Sequence, residues 1–190
     1  MNNFFKNKKK VIIVILVGFS ILSLLFIFGQ VLKNKTGTAP PKNLSQATFD
    51  SITPGVSTVG DVTNKLGEPI NKDPNSLEFK SLSPNRNNQV NINQGVVSLV
   101  KEIITLQDTR RITDITKVYG LAQKILYGPD AGAGFYLFVY PINGLAYVGH
   151  PESGLLLEIW YFPPTDLAGF ETNYAKGYSE SYQPKKDGFD

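Results

Sequence analysis

Asp61-Val62-Thr63-Asn64-Lys65-Leu66-Gly67 returns 53 residues later as Asp114-Ile115-Thr116-Lys117-Val118-Tyr119-Gly120. Asp, Thr and Gly recur in place, and the apolar positions stay apolar. In the first copy Val59, Val62 and Leu66 fall on one face of a helix. Ser57 reads as its N-cap, Gly67 as its stop, and Pro69 forbids continuation. Gly67 and Gly120 are expected at positive φ, a region that only glycine enters without a Cβ penalty. Strand patterns follow each copy: 77–82, 89–93 and 96–105 after the first, and 124–127, 135–140, 145–148 and 155–162 after the second. Glu102-Ile103-Ile104 in the last strand of the first set matches Glu158-Ile159-Trp160 in the second. The expected fold class is α+β: a first helix-plus-antiparallel-sheet unit over 44–106, a second over 107–163, and a C-terminal aromatic tail over 164–190. The alternative is a single α+β domain whose helices happen to end alike.

Upstream, Lys10 and Lys33 bracket an uncharged run, Val11 to Leu32. Its 22 residues reach about 33 Å as a helix, enough for a hydrocarbon core of about 30 Å. A transmembrane helix over 11–32 is therefore expected, with a cleaved leader as the alternative. Lys6, Lys8, Lys9 and Lys10 place residues 1–10 in the cytoplasm as a basic tail. The expected localisation is the cell membrane, single-pass, with lipid met through residues 11–32 and the domain outside. Residues 33–43, with Pro40 and Pro41, read as a linker. The net charge of +3 belongs to the N-terminal flanks, since residues 36–190 hold 13 Lys/Arg against 16 Asp/Glu. Nucleic acid is not an expected partner. The absence of cysteine excludes disulfides and a lipidated cysteine.

The first copy has recognisable flanks. Pro54-Gly55-Val56-Ser57 precedes Asp61-Val62 and Leu66-Gly67-Glu68-Pro69, and a Leu77-x-Phe79 strand and a Gly95-Val96-Val97 turn lead to Glu102-Ile103. Over roughly 50 residues this resembles the SmpA/OmlA (BamE) outer-membrane assembly family and the wider β-lactamase-inhibitor-protein-like fold. The resemblance implies tandem units whose sheet surface grips a partner protein. The chain departs from the assembly lipoproteins in having no cysteine for a lipid and an apolar span in its place.

Chemistry is sparse. His150 is the single histidine and lies in Val148-Gly149-His150-Pro151-Glu152-Ser153-Gly154, a loop pattern. Any Ser-His-Asp site would have to use it. No metal-ligand spacing occurs, and Gly132-Ala133-Gly134 opens no helix that could cradle phosphate. No catalytic residue, metal ligand or cofactor site is assigned.

The second set of strands is aromatic on both faces. Alternation places Tyr136, Phe138 and Tyr140 opposite Phe135, Leu137 and Val139, and Trp160 and Phe162 opposite Ile159 and Tyr161. Tyr136, Phe138, Tyr140, Trp160 and Phe162 are expected on one side as a candidate binding surface. Phe170, Tyr174, Tyr178 and Tyr182, four apart, form a stripe that could cover that side instead. The functional expectation is a membrane-anchored extracytoplasmic protein-binding or envelope-assembly module without enzymatic activity, its partner an extracytoplasmic protein. A cell-envelope-acting enzyme is the alternative.

Overall fold

Thr58 opens helix α1 (Val59–Leu66): its hydroxyl accepts the Asp61 N–H, and the Asp61 carboxylate accepts the Thr58 N–H at 2.8 Å. Ser57 stands one residue too early for that role, because its hydroxyl closes the preceding turn by accepting the Thr53 N–H at 2.9 Å. Helix α2 (Ile112–Tyr119) begins where the Asp114 carboxylate accepts the Arg111 N–H. Both helices end on glycines at near-identical angles, Gly67 at φ 80°, ψ −162° and Gly120 at φ 79°, ψ −154°. These angles lie in a region essentially closed to other residues. The computed structural model describes residues 45–182.

Eight strands follow: β1 (Asn71–Asp73), β2 (Ser76–Phe79), β3 (Asn88–Asn93), β4 (Val96–Ile103), β5 (Lys124–Leu126), β6 (Tyr136–Tyr140), β7 (Leu145–His150) and β8 (Leu155–Tyr161). They form one antiparallel sheet in the order β1-β2-β3-β4-β8-β7-β6-β5. This corrects the expected fold class. The strands make a single sheet rather than two units, because β4 and β8 pair directly, from Val100↔Tyr161 to Ile103↔Glu158. The second correction concerns the membrane. Among the described residues no helix is long and apolar enough to cross one; α1 and α2 have 8 residues each. The expected span 11–32, the basic tail 1–10 and the linker 33–43 lie outside the described residues. The reading of a single-pass protein with its N-terminus in the cytoplasm and its domain outside is corrected accordingly.

Two cores sit on opposite faces of the sheet. Val62, Val90, Val97, Tyr147 and Ile159 form the first, against which Ile112 and Ile115 of α2 pack. The second holds Leu126, Leu137, Val139, Trp160 and Phe162, under helix α3 (Leu167–Asn173) and the segment after it. Two bulges interrupt the alternation, one leaving Ser98 unpaired against β3 and the other leaving Leu157 unpaired against β7.

Candidate functional site

The five aromatics singled out as a surface do not share a face. Val139 pairs with Ala146, and Ala146 with Trp160, so Trp160 and Phe162 stand beside Leu137 and Val139. Tyr136, Phe138 and Tyr140 lie on the other side with Ile159 and Tyr161. Alternation holds along β6 and over residues 158–162, but the phase between β6 and β8 is set by pairing through β7. Phe138 stacks on Tyr147 with centroids 4.8 Å apart, and the Tyr140 hydroxyl donates to the Gly120 carbonyl at 3.0 Å. Tyr136 is half-buried, its ring edge-on to Tyr127. Trp160 is 2% exposed and Phe162 is fully buried.

The cover over Trp160 and Phe162 is the chain's own C-terminal segment. Phe170, fully buried, and Tyr174 pack on Phe162 at 4.9 and 5.0 Å between centroids. Gly177, at φ 88°, turns the chain so that Tyr178 meets Trp160 edge-on at 5.7 Å. Ser179 then exchanges two backbone hydrogen bonds with Tyr127 beyond the end of β5. The tyrosine stripe is therefore not one helix face, since α3 stops at Asn173.

Two buried glutamates mark the β4–β8 seam. Glu102 is gripped by both terminal nitrogens of Arg110, at 2.5 and 3.1 Å, and accepts the Tyr161 hydroxyl at 2.8 Å. Arg110 also donates to Asp108, which holds that carboxyl below the usual range. Burial, with Glu102 alongside, pushes the Tyr161 phenol up. Glu158 takes the guanidinium of Arg86 and the indole N–H of Trp160, the latter at 2.6 Å. Lys101 lies 4.1 Å from the Trp160 ring centroid, its ammonium pushed down by burial. The sequence match between the two glutamates does not survive as a structural equivalence. Glu102 pairs with Ile159 on the helix side, whereas Glu158 shares the opposite side with Trp160.

Both carboxylates are committed to ion pairs. His150 stacks edge-on to Phe135 at 5.4 Å and its Nδ1 accepts the Ser153 N–H. Among the described residues no group of three His, Asp or Glu could hold a metal ion.

The open feature lies at the ends of β4 and β8. The loop over residues 80–87 and the loop over residues 104–111 flank a groove of about 300 Å³. Ile103, Leu155, Leu157 and Phe135 line it. Leu82 and Leu106 stand on its two walls at 81% and 80% exposure, the highest among the described large apolar side chains. A polar hollow with Lys80, Asn88, Asp108 and Arg110 shares Leu82, Ile103 and Thr105 with it. Arg86 also reaches this groove. Sequence reading missed the site because Leu82 was counted into a strand that ends at Phe79, and Leu106 into none. The available signal was a lone leucine inside each polar loop, Ser81-Leu82-Ser83-Pro84 and Thr105-Leu106-Gln107-Asp108. Chemically, the groove can take apolar side chains and offer a guanidinium; it brings no nucleophile to a base.

No family model and no curated protein matches the sequence. Among solved structures, the chain is similar to a DUF4309 family protein (YjgB) from Bacillus subtilis subsp. subtilis str. 168, at 16% identity and a TM-score of 0.44. The match covers 62% of this chain and 87% of that one, and at that score it carries no argument about function.

Proposed function

We propose that the chain is a non-enzymatic protein-binding module that engages its partner through the groove at the ends of β4 and β8. One observation carries the reading: two leucines on separate loops, 81% and 80% exposed, line one groove together with Ile103, Leu155, Leu157 and Phe135. Water-exposed leucine costs free energy that a partner's apolar surface recovers, at about 25 cal/mol per Å² buried. Paired exposed apolar side chains around a concavity mark contact sites more than scattered ones do.

The test is photo-crosslinking. A photoreactive residue replaces Leu82 or Leu106 in cells that make the chain, with Val56, 69% exposed elsewhere, as the control position. A discrete crosslinked protein is expected at 82 and 106 but not at 56. In the otherwise native chain, Leu82→Asp with Leu106→Asp should lower affinity for that protein at least tenfold, about 1.4 kcal/mol. Stability should change by no more than about 0.5 kcal/mol per site, as for exposed positions. Crosslinks at 82 and 106 no stronger than at 56 would reject the reading.

A further inference from the structure

We propose that the segment bound in this groove is an apolar peptide stretch carrying a carboxylate, received by the Arg86 guanidinium and the Thr105 hydroxyl. The proposal rests on the groove being the binding site and adds the chemistry of its occupant. A guanidinium offers five N–H donors in a planar fork. Among the described residues only one nitrogen of Arg86 is engaged by a protein oxygen, that of Glu158, and the side chain remains 42% exposed. Among the described residues the buried Thr105 hydroxyl oxygen has no hydrogen-bond partner, and Thr105 lines both hollows. A buried hydroxyl without a partner is uncommon in a folded protein and points to a group still to be supplied.

Charge agrees with these vacancies. The buried Glu158 carboxylate engages Arg86 through one nitrogen only, which leaves the rest of the fork directed to the groove's solvent side. Lys101 lies over the Trp160 ring, and Arg86 is the cation that lines the groove itself. The lining is otherwise apolar, with Ile103, Leu155, Leu157 and Phe135. A carboxylate flanked by apolar side chains satisfies the free face of the fork, the hydroxyl and the lining together. A basic segment would meet the Arg86 guanidinium, and an uncharged apolar one would leave its remaining donors unused.

The probe is a library of random twelve-residue peptides displayed on phage and selected against the full chain. Selected peptides should share an Asp or Glu beside two or more apolar residues. A selected peptide, fluorescently labelled, should bind at least tenfold tighter than its Asn or Gln form by anisotropy. That ratio should fall to near one with Arg86→Gln and decrease with Thr105→Val, which leaves the Arg86–Glu158 pair in place. Because each ratio is taken within one variant, general loosening of the loop cancels. Selected peptides that need Leu82 and Leu106 but carry no shared acid would overturn the carboxylate while leaving the groove. Peptides indifferent to Leu82→Asp with Leu106→Asp would remove the groove itself. A chain lacking residues 183–190 should bind with unchanged affinity, and a tenfold gain would assign the groove to the chain's own end, overturning the proposal.

Discussion

Phe170→Ala tests what holds the C-terminal cover in place. Phe170 is fully buried, and its ring lies 4.9 Å from Phe162 and 5.7 Å from Tyr174 between centroids. Truncating a buried phenylalanine to alanine typically costs about 3–5 kcal/mol, the lost transfer energy plus the cavity left behind. Each aromatic pair adds about 0.5–1.5 kcal/mol beyond area. Phe170 is among the largest fully buried side chains, so a loss of about 3–5 kcal/mol is expected. The chain has one tryptophan, and it lies under this same segment. Urea unfolding followed by tryptophan emission therefore reads stability and cover in one experiment. A lowered midpoint with unchanged native emission would mean the cover stays and the fold weakens as one unit. A red-shifted native emission would mean the segment detaches and exposes Trp160. Thr172→Ala, exposed on the same helix, should stay within about 0.5 kcal/mol. A Phe170→Ala chain that loses less than about 1 kcal/mol with emission unmoved would refute the assignment of Phe170 as the anchor.

Three further outcomes follow from particular contacts. Gly67→Ala and Gly120→Ala should each cost about 1–3 kcal/mol by urea denaturation, since a Cβ meets no atom within 4 Å there and the loss is backbone strain alone. An equal loss at Gly132, which also has open space but no positive φ, would remove that explanation. Gly128→Ala should shift Trp160 emission to the red, because a Cβ there falls within 3 Å of the Tyr178 ring and pushes it off the indole; unchanged emission counts against Tyr178 as part of the cover. Asp108 titrates below its ordinary value because Arg110 donates to it. Its contribution is complete above about pH 4, the unfolded value, and is lost as pH falls through the lower folded value. Asp108→Asn should flatten that part of the acid limb of stability against pH, and an unchanged limb would show that the pairing contributes nothing.

The helix ends were readable because they depend on residue type. Gly67 and Gly120 announce a positive φ whatever surrounds them, and the Gln89–Asn93 alternation announces a strand with one buried face. The aromatic face was not readable, because facing depends on pairing partners that no single strand specifies. A one-residue change of phase moves every side chain of a strand to the other side. The bulge at Leu157 adds a second change, so Leu156 joins Ile159 in the first core although even numbering had placed it with Glu158 and Trp160. The seam was hidden for a related reason. Nothing in β4 or β8 alone states that each is the other's neighbour. The groove then follows from the seam and not from either strand, which is why neither Leu82 nor Leu106 stood out as a site.

The two buried glutamates gain a role once the groove is seen. A buried ion pair is weak evidence for stability, since desolvation offsets much of the attraction, and its better-attested use is to fix one arrangement against others. Glu102, facing the helices, holds Arg110 of the loop after β4. Glu158, facing the other way on the adjacent strand, holds Arg86 of the loop after β2. The paired central strands thus reach one loop from each side of the sheet. Those are the two loops that carry Leu106 and Leu82. An apolar side chain in either place would strengthen the core without specifying where the loop stands, whereas a guanidinium on a buried carboxylate permits few geometries. Each ion pair therefore ties one of these loops to the central seam, and those same loops carry the two most exposed of the described large apolar side chains.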